Sequence, residues 1–335
     1  MSAPATDRPD GAGPDGPGPA DAEERAARAG RRDRLANGGL ARAWRTLVLV
    51  AHRAGGAFGL LVIGVVVVVA LLDDVIAPDG PNDVDIAARL MPPSLEHPFG
   101  TDDLGRDVLD RVVLGATVSL QVGFVAVGIS LVAGVLIGLL AGYYRGPLDA
   151  VLMRFMDVLF AFPAVLMAIA VLALLGPGTG NAMIAIGIVY VPIFARVTRA
   201  AVLSVSEEVY VRASRSVGAP DRRILFHHVL PNAAAPIIVQ TSVSLAFAIL
   251  SEAALSFLGL ATQPPNSSWG LMLSEGRAFM EQAWWMAVFP GLAIFLTVLA
   301  FNLLGDALRD VLDPRRRALL TSSASGPDAG STGAG

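Results

Sequence analysis

Apolar residues along this chain gather into long runs rather than short periodic stripes. The runs cover Ala54–Leu72, Val112–Tyr144, Val158–Ala195, a stretch from Pro231 to about Leu258, and Gln282–Gly305. A bilayer core is crossed by roughly 20 helical residues, so each run is long enough to span. The third is too long for one crossing. It contains Gly176-Pro177-Gly178-Thr179-Gly180-Asn181, a strong turn signal, and divides there into two helices. The pattern predicts six spans, near 54–74, 115–143, 154–175, 181–199, 232–258 and 284–305. None of the runs alternates with period two, and backbone groups in lipid need internal partners, so the spans are helices rather than barrel strands. The expected fold class is all-α, a polytopic membrane protein of six transmembrane helices.

The polar remainder sets orientation. Residues 1–45 are rich in Pro, Gly, Ala and Asp, then in Arg. They show no apolar period and bury too little to offset their ordering entropy, so a disordered cytoplasmic tail is expected. No short apolar core follows a basic start, so the tail is not read as a secretory signal. Residues 318–335, rich in Ser, Gly and Ala, read as a second tail. With the N-terminus inside, 21 of the 25 arginines fall on cytoplasmic segments and only Arg89, Arg106, Arg111 and Arg277 outside. That bias places both ends in the cytoplasm. Two loops are long, an acidic outer one near 75–111 and a basic inner one near 200–231. Loops of that length in a compact membrane protein usually have a function.

Composition narrows the chemistry. The chain is 54% hydrophobic and 16% charged, against about 25% charged in soluble domains. With no cysteine, disulfides and thiolate chemistry are excluded. The four histidines, His52, His97, His227 and His228, make no metal spacing. Every basic residue is arginine and there is no GxxxxGK[ST] run. A P-loop ATPase needs a lysine on the terminal phosphates, so this chain is expected not to be an enzyme. If ATP drives it, another subunit hydrolyses the ATP.

The inner loop from Ser204 to Asn232 reads as helix–turn–helix. Ser204 followed by Glu207 suggests a capping box. Gly218 sits where a helix would end in a left-handed residue, and Pro220 and Asp221 fit the start of another helix. This loop resembles the cytoplasmic "EAA" loop of binding-protein-dependent ABC importer permeases. That pattern is Glu-Ala-Ala, three residues, Gly, then nine residues before Ile-x-Leu-Pro. Here Arg212-Ala213-Ser214 takes the first triplet, Gly218 falls at the required spacing, and Leu230-Pro231 closes the motif. Arg212 replaces the acidic residue, and His228 stands where Ile is expected.

The resemblance extends from about Gly56 to Arg317. His97-Pro98-Phe99-Gly100-Thr101-Asp102-Asp103-Leu104-Gly105-Arg106-Asp107-Val108 is similar to the outer segment before the second span of dipeptide, oligopeptide and nickel permeases. Glu252 to Leu260, Gln263-Pro264-Pro265 and Ser268-Trp269-Gly270 resemble a later outer segment, and Asn302 to Asp310 with Asp313-Pro314-Arg315 their C-terminal signature. The likeness is to the second permease subunit of these heterodimeric systems. It implies a pore-forming subunit of an ATP-driven importer in a bacterial inner membrane, working by alternating access. It also implies a coupling helix around Glu207 to Val217, with Glu207, Glu208, Tyr210, Arg212, Ala213, Ser214, Arg215, Gly218, Ala219 and Asp221 as the residues meeting the ATPase. The implied partners are a homologous permease, cytoplasmic ATPase subunits that carry ATP and Mg²⁺, an extracytoplasmic solute-binding protein, and lipid. No nucleic acid and no cofactor on this chain are expected. Peptides, nickel complexes and glycosides all fit as solutes.

Other residues read more plainly. Arg196 and Arg199 are expected at the membrane interface, as are His227 and His228. Glu252 lies about 30 Å along a helix from Pro231 at ~1.5 Å per residue, which suggests the outer interface. Asp102, Asp103, Asp107 and Asp110 read as a solvated or structural loop, and Trp269, Trp284 and Trp285 as an interfacial aromatic belt. An ion-coupled secondary transporter is the alternative from another class, and a membrane scaffold a third. The transporter would require charge at mid-membrane and broken helices, whereas the runs Ala54–Leu72 and Gln282–Gly305 carry no charge.

Overall fold

The computed structural model describes residues 39–77 and 83–312. All regular elements of the described residues are helical. The chain divides into two compact units, Met1–Leu49 and Val50–Gly335. Most of helix α1 (Gly39–Ala51) belongs to the first. It begins at Gly39, ahead of the tail boundary expected at residue 45. Leu40, Trp44, Leu47 and Ala51 recur at helical spacing, a short signal masked by the arginines around it. The rest of the expected N-terminal tail and the whole C-terminal one lie outside the described residues.

Five helices are each long and apolar enough to cross a membrane. They are α2 (Ala54–Leu71), α4 (Val108–Tyr144), α7 (Thr179–Ser206), α9 (Asp221–Phe257) and α11 (Trp285–Leu312). Short helix α3 (Asp73–Ile76) follows α2. The region of the sixth expected span, near 154–175, holds a bent pair rather than one straight helix. The pair is α5 (Gly146–Phe160) and α6 (Ala164–Leu175), which meet at 92°. Pro163 is the cause: the residue before a proline is pushed out of the helical region, and Pro163 itself opens α6 with ψ 131°. Alone, α6 would span about 18 Å, short of the bilayer core.

Helix α4 organises the fold. It runs 37 residues without a proline, about 55 Å at 1.5 Å per residue. Gly134, Gly138 and Gly142 form a four-residue repeat along its face toward α7. A Cβ on Gly138 would stand 2.4 Å from the Ala195 carbonyl oxygen, and one on Gly134 2.4 Å from the Phe194 Cβ. Small residues at this spacing let two helix backbones approach closely, a common basis of packing in lipid. The main apolar core lies where α4, α7, α9 and α11 meet, around Val122, Ala126, Ile186, Phe194, Ile249 and Phe301.

At its N-terminal end, α4 is capped by Asp107, which accepts from the amides of Leu109 and Asp110. Ahead of it, the carboxylate of Asp102 is buried and receives Arg106 Nε at 2.6 Å and Arg111 Nη1 at 2.8 Å. Arg111 also reaches Glu275 Oε2 at 2.7 Å, on helix α10 (Trp269–Gly276). Asp102 and Asp107 are thus structural. Two tryptophans depart from the expected belt. Trp269 and Trp285 are buried, and their indole N–H groups donate to the carbonyls of Val112 and Thr101 at 2.9 and 3.0 Å. Only Trp284 of the three is exposed.

Glu252, expected near the outer interface, is fully buried within the protein. Ser256 donates to its Oε1 at 2.6 Å, Thr262 to the same oxygen at 3.2 Å, and Ser119 to Oε2 at 3.4 Å. Axial distance along α9 said nothing about azimuth, and this side chain points into the protein.

Candidate functional site

The segment between α7 and α9 is built around a short helix, α8 (Val209–Ser216). The expected capping box does not form. Ser204 is still inside α7, which runs to Ser206, and Glu207 is its C-terminal cap. Glu208 takes the N-cap position of α8 with no side-chain cap bond. The chain therefore breaks at 207–208, one turn later than the Ser–Glu spacing suggested.

The end of α8 follows the expectation closely. Gly218 has φ +79°, the left-handed region where glycine carries no steric penalty. Its amide donates to the Arg215 carbonyl at 3.0 Å, and that of Ala219 to the Ser214 carbonyl at 3.2 Å. These two bonds are the Schellman closure of a helix end. Pro220, extended at ψ 144°, then caps α9. The first turns of α9 are distorted, with π-helical geometry over Ile224–Val229. Pro231 follows at once. It lacks an N–H and its ring crowds the preceding turn, so widening that turn relieves the clash.

Helix α8 has two faces. Val211 is fully buried in a cluster with Leu139 and Tyr143 of α4, Val202 of α7, and Ile224, Leu225 and Val229 of α9. Three and four residues on, Ser214 and Arg215 share that side. The other face is open, with Val209 72%, Tyr210 42% and Val217 85% exposed beside Glu208, Arg212 and Ala213. Large aliphatic side chains this exposed, outside the spans and rimmed by charge, mark an interaction surface rather than a finished one. At the start of α9 lies an open cleft of about 430 Å³ lined by Pro220, Arg222, Arg223, Phe226 and His227.

The ten sequence-predicted residues therefore separate. Glu208, Tyr210, Arg212 and Ala213 face outward. Glu207, Arg215 and Asp221 turn to the protein's own helices. Glu207 is paired with Arg145, and this guanidinium holds its carboxyl below the usual carboxylate range. The Arg215 guanidinium lies over the Tyr143 ring, 5.0 Å from its centroid. Asp221 Oδ1 accepts from the Tyr143 hydroxyl at 2.6 Å. Ser214 bonds back to the Tyr210 carbonyl at 2.8 Å, and Ala219 packs on the Val211 cluster. The phenol of Tyr210 is pushed up, first by burial and then by the charge of Glu208.

Tyr143, Arg145, Val209, Val211 and Val217 were not identified from the sequence. The signal was Tyr143-Tyr144-Arg145-Gly146-Pro147, an aromatic and basic span end followed by a break. Arg145 is at φ +55° and ψ −165°, a conformation that costs a non-glycine residue about 1–3 kcal/mol. Arg196 and Arg199, expected at the membrane interface, are also tied down, Arg196 to Asp157 at 2.8 Å and Arg199 in a two-pronged pair with Asp149 at 2.5 and 2.6 Å. Among the described residues no group of three His, Asp or Glu could hold a metal.

Comparison with known proteins bears on this geometry. The family model described as binding-protein-dependent transport system inner membrane component matches residues 134–318. That stretch begins within α4 and contains the whole 207–223 segment. The dipeptide transport system permease protein DppC of Alkalihalophilus pseudofirmus is 47% identical over 260 residues, 78% of this chain and 86% of that protein. The di/tripeptide transport system permease protein DppC of Pseudomonas aeruginosa is 47% identical over 271 residues, 79% of this chain and 89% of the relative. The glutathione transport system permease protein GsiD of Escherichia coli is 50% identical over 250 residues, 74% and 82% of the two chains. Among solved structures, an inward-facing conformation of the MetNI methionine ABC transporter aligns with TM-score 0.51 at 17% identity, over 61% of this chain and 96% of that one. At that identity the likeness speaks for the fold alone.

Proposed function

The chain belongs to the family of binding-protein-dependent transport system inner membrane components, and on that premise we propose that it docks its cytoplasmic ATPase through α8 and passes di- or oligopeptides or closely peptide-like solutes. It is a multi-pass membrane protein and the pore-forming permease subunit of an ABC importer. The hydrolysis of ATP belongs to separate subunits, an extracytoplasmic binding protein delivers solute, and a homologous permease completes the pore. Both chain ends lie in the cytoplasm, with Asp102, Arg111 and Glu275 outside.

One observation carries the docking assignment. Helix α8 anchors itself through Val211 and, among the described residues, leaves Val209 and Val217 72% and 85% exposed with Tyr210 half-exposed beside them. The solute assignment rests on the relatives, whose names attach them to dipeptides, di/tripeptides and glutathione. Arg212 makes no salt bridge among the described residues, so its charge is available to a partner. Arg212→Glu should weaken retention of the ATPase, and reversal of the facing acidic residue on the ATPase should restore it. A desolvated interfacial pair is worth several kcal/mol and an exposed one about 0–1. Unchanged retention and transport in the variant would remove Arg212 from the interface. Uptake of labelled dipeptide and of glutathione by the reconstituted importer tests the solute class; transport of neither contradicts it.

A further inference from the structure

We propose that α4 is the rod that links the docking segment to the outer face, and that Tyr143 is the positioning residue that fastens the segment to it. This rests on the reading of α8 as the ATPase docking helix and adds how its movement is passed on. In sequence the segment hangs between α7 and α9. In space its polar ties end on the last residues of α4 and the turn after it. Tyr143 donates to Asp221 Oδ1 at 2.6 Å and lies beneath the Arg215 guanidinium at 5.0 Å. Arg145 pairs with Glu207. The partners thus sit at the start of the segment, at the end of α8, and at the start of α9. Between them the buried anchor Val211 packs against Leu139 and Tyr143.

What lies beyond Tyr143 makes the tie consequential. Helix α4 is continuous from Val108 to Tyr144. Its backbone is in close contact with α7 at Gly134, Gly138 and Gly142, so α4 and α7 cannot slide past each other without a clash. At its far end, buried Arg111 binds Asp102 of the outer loop and Glu275 of α10. A displacement of α8 is therefore carried by α4 to the elements that hold the outer loops, and the reverse path carries the arrival of a loaded binding protein inward. Asp221 and Tyr143 are 78 positions apart, and their bond bridges the segment to the rod directly, independent of the route through α7.

The test uses the complete reconstituted importer with Tyr143→Phe, Asp221→Ala and the double variant. Tyr143→Phe removes one oxygen and keeps the ring under Arg215. ATP hydrolysis is measured with and without loaded binding protein, and ATPase retention on the purified complex is measured alongside. The stimulation ratio should fall about tenfold to a hundredfold in each single variant, the effect of one hydrogen bond to a carboxylate, with retention kept. The double variant should be no worse than either single, because both remove the same bond. An unchanged stimulation ratio, multiplying effects in the double variant, or loss of the ATPase from Tyr143→Phe complexes would each overturn the proposal. Failure of the docking assignment itself looks different: cysteines on α8 would then not crosslink to the ATPase in the wild-type background.

Discussion

Gly138 of α4 and Ala195 of α7 are in backbone contact: a Cβ built on Gly138 would stand 2.4 Å from the Ala195 carbonyl oxygen. No rotamer relieves a clash of Cβ with backbone, so any side chain here must push the helices apart. Gly138→Leu should destabilise the folded protein in mild detergent by about 1–3 kcal/mol or more, as overpacking does. Gly128, with nothing within 4 Å of a built Cβ, is the control: Gly128→Leu should melt like wild type. Equal melting of the two variants would show that α4 and α7 are not held at glycine distance.

The network around Asp102 should be as sensitive. Asp102→Ala leaves Arg106 and Arg111 buried with Glu275 alone to neutralise them. Removing one partner of a buried pair costs about 3–5 kcal/mol. Thermal unfolding of the purified permease pair should show a loss of that order, and Asp103→Ala, with its partly exposed side chain, a loss several times smaller. Similar losses for both would mean that the Asp102 carboxylate is not the hub.

Gly218 allows a clean separation of conformation from packing. It has φ +79° and no atom within 4 Å of a built Cβ, so a substitution costs only the left-handed conformation, about 1–2 kcal/mol. Uptake in proteoliposomes should fall in the order Asn, Ala, Val, because Asn tolerates positive φ and a β-branched side chain does not. If Gly218→Asn is as damaging as Gly218→Val, a left-handed helix stop is not what the position supplies.

The native absence of cysteine permits a topology map. Ser94 and Ser216 are both exposed. Ser94→Cys should label from outside with an impermeant thiol reagent, and Ser216→Cys only after permeabilisation. Ser268 is unsuitable because it is fully buried and caps α10. Outside labelling of Ser216→Cys in sealed cells would overturn the proposed orientation.

How much of this was legible in the sequence differs by feature. The spans were, because lipid demands long apolar runs whatever the tertiary packing. The helix stop at Gly218 was, because only glycine takes that conformation freely and Pro220 follows it. The break at Phe162-Pro163 was missed because the apolar run continues through it, and hydropathy does not register a turn made within apolar residues. Glu252, Trp269 and Trp285 were misplaced for a shared reason. Each is polar or amphipathic near a span end, which suggests an interface, but each finds its hydrogen-bond partners inside the fold. Tyr143 was invisible because its partner Asp221 lies 78 residues away, and no local period connects them.

The docking of the ATPase on α8 is tested most directly by crosslinking. Single cysteines replace Val209, Val217 and Val211, which are 72%, 85% and 0% exposed, each paired with cysteines introduced on the ATPase surface. Val209→Cys and Val217→Cys should crosslink to the ATPase in the assembled importer while Val211→Cys, turned into the Leu139–Tyr143 cluster, should not. Absence of crosslinks from all three positions, with the complex intact, would contradict α8 as the docking helix.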